Sequence, residues 1–593
     1  AQVPCSPETA HIHIDPQRNP TYGWMAAASL ARAAALLLSA LAAAGVRVRS
    51  EPQDGHALLQ THAGPAAAGA EEASAVFEDT IWTRSSAEKR AAVARNERAF
   101  GSKVHVRRQW EASDLEPHIE LDGAAHAEAL KELLPVKRRL QDIGGASGFA
   151  AKRQVLVNYG DVQYVTHFRM GRQTIVGILD TGSFELVVFS RACKSCGSVA
   201  KYDPNISPNH LQGKLMTMQS YGSGDTYSSQ AFDLLSIGPY AEMNQTFWEV
   251  VGAHMPILST SAFEAIIGIG PPETPGVDAW LDAQDAINNV SSVYTEGMRP
   301  QKAALKHAKD NIEAAMEVSR NPTMLDNFGV GSFSLCLGTA PGSDGYLVWN
   351  DTSAFDFPAV FQRVPVVGKH TWSVSLSNVQ LSFPNEESAG PGSSHSRSTG
   401  PSNGPFACKE GCVALLDSGT SLLAVPGYVI TWLSRKMDLL SPDCSNIEEL
   451  PDLVFTLGEE RFSLPPDAYV AEVKGTVPKY LQSFVRLTKV QASESTKKQC
   501  QLLLMESYAE GQLGPLWILG MPFFRKYYTT FFIGDSTDSR ALYVAPASDD
   551  CTPATGSKAS PSRSKPYKRL IDPNKVHVPN VVQKARSQKS IAL

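Results

Sequence analysis

At 593 residues the chain is too long for one ordinary domain, so two packed lobes with further segments are expected. A formal net charge of −6, with no strongly basic globular stretch, excludes an electrostatic case for nucleic-acid binding. The nine cysteines include two closely spaced pairs, yet no histidine stands near either pair. Disulfides are therefore expected rather than a zinc site, and no metal or other cofactor is called for.

Residues 1–24 lie upstream of an apolar run and are not expected to be structural. Residues 25–45, MAAASLARAAALLLSALAAAG, join Arg32 to an apolar stretch and small residues, the pattern of a secretory signal peptide or of an uncleaved signal anchor. Contact with a membrane is expected only in the second case. An oxidising compartment suits the cysteines, and four Asn-x-Ser/Thr sequons, at Asn205, Asn244, Asn289 and Asn350, point the same way. Residues 46–151 are rich in Ala, Glu and Arg with helical spacing, and read as a prosegment. Near its end Lys137, Arg138 and Arg139 form either an exposed basic turn or a plug for an acidic cleft.

From residue 152 the texture changes to short β-branched and aromatic runs broken by Gly, Pro and Asn, such as TIVGILD and ELVVFS, which predicts an all-β fold. Residues 152–350 and 351–548 are expected as the two lobes. Two interruptions stand out: a partly helical insertion at 273–320, and a Gly/Ser/Pro-rich stretch at 384–404 that should be disordered. Residues 549–593 carry many Lys and Arg and are read as a flexible basic tail.

The informative feature is a repetition. ILDTGS occupies 178–183 and LLDSGTS occupies 415–421, each placing Asp after apolar strand residues and following it with a hydroxyl residue and Gly. The glycine lets the chain turn tightly and a backbone amide approach the carboxylate. One Asp-Thr-Gly alone is an ordinary turn. Here each copy also has an apolar downstream partner ending in Gly, AIIGIG at 265–270 and WILGMPFF at 517–524, so a whole block is duplicated. Duplication implies two related lobes that bring Asp180 and Asp417 together across a pseudo-twofold axis.

With these motifs the chain resembles the pepsin family of aspartic endopeptidases over residues 155 to about 548, and the DSGT form of its second motif resembles the plasmepsin branch. The resemblance implies a bilobal fold with Asp180 and Asp417 as catalytic pair. It implies that Ser183 and Thr420 bond the outer carboxylate oxygens, and that Thr181 and Ser418, with Gly182 and Gly419, hold the two loops. Tyr221 and Gly222 would belong to a flap over the substrate, and Ile178 and Ile266 would line the main specificity pocket. Disulfides Cys193–Cys196, Cys408–Cys412 and Cys444–Cys500 are likewise implied. Cys336 and Cys551 are then left over, and Cys336 reads as a small buried apolar residue.

Two carboxyl groups sharing one proton can activate a water and supply an acid, so peptide-bond hydrolysis at acidic pH is expected. Protein or peptide substrates with apolar residues at the cleaved bond, a zymogen inhibited by its own prosegment, and a monomer are the corresponding expectations. The compartment is the secretory pathway, with secretion or an acidic vesicle as the destination. Two departures stand beside these. Phe184, Glu185, Leu186 and Val187 follow the first motif, so the indole that supports the flap tyrosine in pepsin is missing, and Thr371 replaces an aromatic before Trp372. The rival readings are a catalytically dead homologue that binds peptides in the same cleft, and a glycosidase carboxyl pair, which needs no symmetric loops.

Overall fold

The structure, a computed structural model, describes residues 152–272, 274–295, 301–384, 404–436, 440–486, 498–508, 510–511, 513–554 and 565–578, together with 47–49, 60–62 and positions 135 and 139. Residues 1–81 and 82–593 form two units. In the first, Arg47–Arg49 pairs antiparallel with Gln60–His62. The second carries the repeated motifs.

The strand Gln173–Asp180 lies between an antiparallel neighbour, Gln163–Met170, and a parallel one, Ala265–Gly268. Its run IVGIL is buried on both faces, which is why it reads as continuous apolar sequence rather than as an alternation. Parallel pairing sets Ile178 opposite Ile266 and Asp180 opposite Gly268. The second copy repeats this layout, with Cys412–Leu416 between antiparallel Ser373–Ser382 and parallel Gly514–Leu519, and with Leu416 opposite Leu519. The apolar segments downstream of each motif are thus the parallel partners of the motif strands.

Among the described residues these strands belong to sheets of thirteen and nine strands, the all-β, two-lobed architecture expected of the sequence. Strands Arg153–Tyr159, Gly345–Trp349, Ser332–Cys336 and Tyr527–Phe532 pair in succession beneath the motif strands. Phe333 stacks on Phe531 there at 4.8 Å, and the buried Trp372 indole donates to the Ile269 carbonyl at 3.0 Å. Each such ring contributes about 1.5–3 kcal/mol through burial. The strands Leu211–Tyr221 and Gly224–Ile237 form a hairpin whose tip pairs Tyr221 with Gly224. Gly224 has φ +130°, and a Cβ would stand 2.2 Å from the His254 carbonyl oxygen, so the turn requires glycine.

The insertion forms two helices, Thr274–Thr295 and Lys302–Ser319. Ala279, Ala283 and Ala315 are small enough to let them approach closely. Ala314 packs into the main core, so one side of this helical hairpin belongs to the body of the lobe.

Two expectations need correction. Residues 565–578, read as part of a flexible tail, are docked: Leu570–Ile571 adds a parallel strand to Val470–Lys474, and Val576, His577 and Val578 are fully buried. The apolar residues alternating around His577 are what the charge count concealed. Cys336 is not a solitary apolar residue but is bonded to Cys551. Asn350 donates from Nδ2 to the Tyr240 hydroxyl at 2.7 Å and accepts from the Gly331 amide at 2.9 Å. Residues 25–45, 385–403 and almost all of 46–151 lie outside the described residues. Of the basic turn, Arg139 is placed, and it forms an ion pair with Asp344 rather than with Asp180 or Asp417.

Candidate active site

Each motif strand ends in its aspartate, and the two loops that follow meet back to back. The Ser418 amide donates to Thr181 Oγ1 at 2.9 Å, and the Thr181 amide donates to Ser418 Oγ at 3.2 Å. Each hydroxyl then reaches across to the opposite strand end, Thr181 to the Leu416 carbonyl and Ser418 to the Leu179 carbonyl, both at 2.9 Å. Four reciprocal bonds between buried groups fix the loops against each other with twofold symmetry, and a buried donor left unpaired here would cost about 1–3 kcal/mol.

The carboxyls are held in matching ways. Asp180 accepts from Ser183 Oγ at 2.7 Å and from the Gly182 amide at 3.0 Å. Asp417 accepts from Thr420 Oγ1 at 2.6 Å and from the Gly419 amide at 2.8 Å. Glycine is needed at both turns because the opposing carboxyl approaches so closely. A Cβ on Gly182 would lie 2.6 Å from Asp417 Cγ, and one on Gly419 would lie 2.4 Å from Asp180 Oδ1.

Both carboxyls are fully buried, and each lies against the glycine turn of the other's loop. Burial raises the pKa of Asp180, against the opposing bonds from Ser183, Asp417, and the amides of Gly182 and Ser183. Asp417 is likewise raised, well above the usual carboxylate range, first by burial and then by the charge of Asp180. Two carboxyls so close cannot both ionise readily, so they titrate as a pair.

The structure also brings Ile178 and Ile266 together as buried neighbours, and puts Tyr221 and Gly222 at the tip of the hairpin formed by Leu211–Tyr221 and Gly224–Ile237. It bonds Cys193 to Cys196, Cys408 to Cys412 and Cys444 to Cys500. Sequence reasoning missed Trp248. It lies opposite Val187 in a parallel pairing, and its indole N–H donates to Glu185 at 3.1 Å. No spacing signal links positions so far apart. Ser421, the last residue of the second motif, and Ser223, one residue beyond Gly222, were given no role, and both hold the docked tail.

A carboxyl pair gripped by mirrored loops where two related lobes meet defines a pepsin-like aspartic endopeptidase. The comparisons with known proteins agree. The family model described as eukaryotic aspartyl protease matches residues 163–298 and 331–541, and the chain belongs to that family. It is 24% identical over 394 residues to pepsin A of Bos taurus, covering 65% of this chain and 85% of the relative. It is 25% identical over 412 residues to cathepsin E-A of Xenopus laevis, covering 67% and 83%. Pepsin-2B of Gadus morhua is 24% identical over 401 residues, covering 66% and 98%.

Proposed function

We propose that this aspartic endopeptidase cleaves protein substrates through Asp180 and Asp417 acting on one water at acidic pH. The observation that carries this reading is the convergence of the two buried carboxyls, each against the glycine turn of the other's loop, above the reciprocal Thr181–Ser418 bonds. Repulsion between two carboxyls so close leaves one ionised while its partner keeps the shared proton, and the two titrations belong to the pair. The ionised carboxylate takes a proton from the water, whose oxygen attacks the scissile carbonyl carbon, while the protonated partner gives its proton to the carbonyl oxygen. The resulting tetrahedral diol collapses when the proton gained from water passes to the leaving nitrogen and a hydroxyl proton returns to the other carboxylate. Raising the pH past the second titration leaves two carboxylates and no acid, so activity falls.

Tyr221 and Gly222 serve as the flap, and Ile178 with Ile266 forms the apolar wall that favours an apolar residue at the cleaved bond. Residues 152–350 and 351–548 are the catalytic lobes, and 46–151 is a prosegment that inhibits the enzyme until removed. The protein is a monomer of the secretory pathway, bound for secretion or an acidic vesicle, and its four disulfides favour an oxidising compartment.

The test is cleavage of an apolar-site peptide across a pH series by the wild type, Asp180→Asn, Asp417→Asn and the double variant. Each single change should lower kcat at least about a hundredfold. The double variant should be little worse, because the residues act as one unit. Substantial cleavage by either single variant, in a preparation free of other proteases, overturns the mechanism.

A further inference from the structure

The docked residues 565–578 run across both lobes and pass between the flap and the second catalytic loop. Its entry is anchored by Arg569, whose buried guanidinium lies 3.3 Å from Asp161 Oδ2 and 3.3 Å from Asp467 Oδ2 and donates to the Thr339 carbonyl. Burial pushes the Asp161 carboxyl up, but Arg569 and Arg525, with the Gly342 amide and Asn158, outweigh it and hold the group below the usual carboxylate range. Leu570 and Ile571 then pair with Glu472 and Val473. Beyond them the chain changes lobes. The Asn574 carbonyl accepts from Thr260 Oγ1 at 2.7 Å, the Lys575 carbonyl accepts from Gln163 Nε2 at 2.8 Å, and the Lys575 ammonium lies 4.3 Å from the centre of the Tyr159 ring.

His577 and Val578 are held through their backbone on both sides. The His577 amide donates to Ser421 Oγ at 2.8 Å, and its carbonyl accepts from the Ser421 amide at 3.4 Å. Its Nδ1 stands 2.8 Å from the carbonyl oxygen of Gly419, inside the second Asp-Ser-Gly loop. The Val578 amide donates to Ser223 Oγ at 2.9 Å, and its carbonyl accepts from the Ser223 amide at 3.3 Å. The valine side chain rests on Gly222, where a Cβ would come within 2.1 Å of it. An extended substrate entering between this flap and this loop has the same backbone donors and acceptors to meet, and the tail has taken them.

We propose that residues 565–578 are a built-in competitive inhibitor, a strap anchored at Arg569 whose His577–Val578 end occupies the cleft in place of substrate. The proposal rests on the reading of Asp180 and Asp417 as the reacting pair. It lies on the other side of the catalytic lobes in sequence from residues 46–151. A tethered ligand is present at an effective concentration near millimolar, so modest contacts suffice to exclude a dilute substrate.

The test compares the intact chain with Val578→Asp, in which the Arg569 anchor is kept and a carboxylate cannot rest on Gly222. Two quantities are read: hydrolysis of an apolar peptide, and polarisation of a labelled peptide spanning Tyr567–Val578. In the variant kcat/KM should rise at least tenfold, chiefly through KM. The labelled peptide should bind the variant at least tenfold more tightly than the intact chain, and the apolar substrate should displace it. A second form guards against a folding defect: a specific protease sequence placed between Ala554 and Lys565 is cut in the folded protein, after which dilution should release the strap and raise activity. Unchanged kcat/KM in both forms, or no binding of the labelled peptide to either, overturns the proposal. Binding needs no hydrolysis, so a displaceable strap on an inactive enzyme would sink the catalytic reading alone, whereas full hydrolysis indifferent to the strap would sink this one.

Discussion

Thr420 gives Asp417 a 2.6 Å hydroxyl bond that favours its charged form and so opposes the rise caused by burial. Removing the bond in Thr420→Val should raise the Asp417 pKa still further. Because one carboxyl of the pair must keep its proton, raising the pair's second titration should move the alkaline limb of the activity profile to higher pH. The rate at the optimum should fall roughly tenfold or more, since a hydrogen bond to a charged group is worth about 1.5–3 kcal/mol. A pH profile of kcat/KM checks both; an alkaline limb moving to lower pH would contradict the assignment. The residues at this centre were legible because each role sits at a fixed offset from an aspartate. Trp248 was not, because its tie to Glu185 depends on a parallel pairing between strands far apart in sequence.

At the scale of single elements, the strap and the helical hairpin behave differently. His577 is buried against the Tyr221 and Phe263 rings, with Asp417 as the nearby charge. Burial lowers its pKa, with the Gly419 carbonyl and Asp417 pulling the other way. With Nδ1 facing that carbonyl, Nε2 is buried without a hydrogen-bond partner among the described residues, so a second proton has no acceptor there. A docked pKa below the free value means docking is strongest above the ordinary imidazole value, about 6.5, and weakens as pH falls below it. Binding of the labelled strap peptide should therefore weaken from pH 7 to pH 5, and the same peptide with His577→Gln should show a flatter dependence; equal slopes would remove His577 as the cause. The helical hairpin touches the body through Ala314 and through the Thr274 hydroxyl, which donates to the His370 carbonyl at 3.1 Å. Replacing 274–319 by a short Gly/Ser linker should leave peptidase activity within about threefold and cost roughly 1–3 kcal/mol of stability. Thermal melts and peptide hydrolysis measure the two effects, and loss of soluble protein would show that the hairpin is part of the core.

Across the whole molecule, Cys336–Cys551 closes a loop of 215 residues that contains the entire second catalytic motif. Cys551→Ser, leaving the other three bonds in place, should lower stability by about 2–4 kcal/mol, read as a drop in Tm under non-reducing conditions. An unchanged Tm would mean that packing of the buried cluster around Cys336, Phe361 and Tyr528 carries this corner instead. The all-β class, the duplication and the meeting of Asp180 with Asp417 were legible in the sequence, because a motif strand buried on both faces must be apolar throughout and a loop approached by a carboxyl must turn at glycine; both requirements are local and leave local marks. It also marked where helix interrupts strand, since an Ala-rich polar stretch cannot join a buried sheet. Only the tertiary structure decided the partner of Cys551, the commitment of the Asn350 amide and the fate of residues 565–578. There the energy lies in long-range contacts: Arg569 is charged and reads as solvated until Asp161 and Asp467, hundreds and about a hundred positions away, are folded around it. A short basic segment with two alternating valines carries too little pattern to announce that it will lie across an active site.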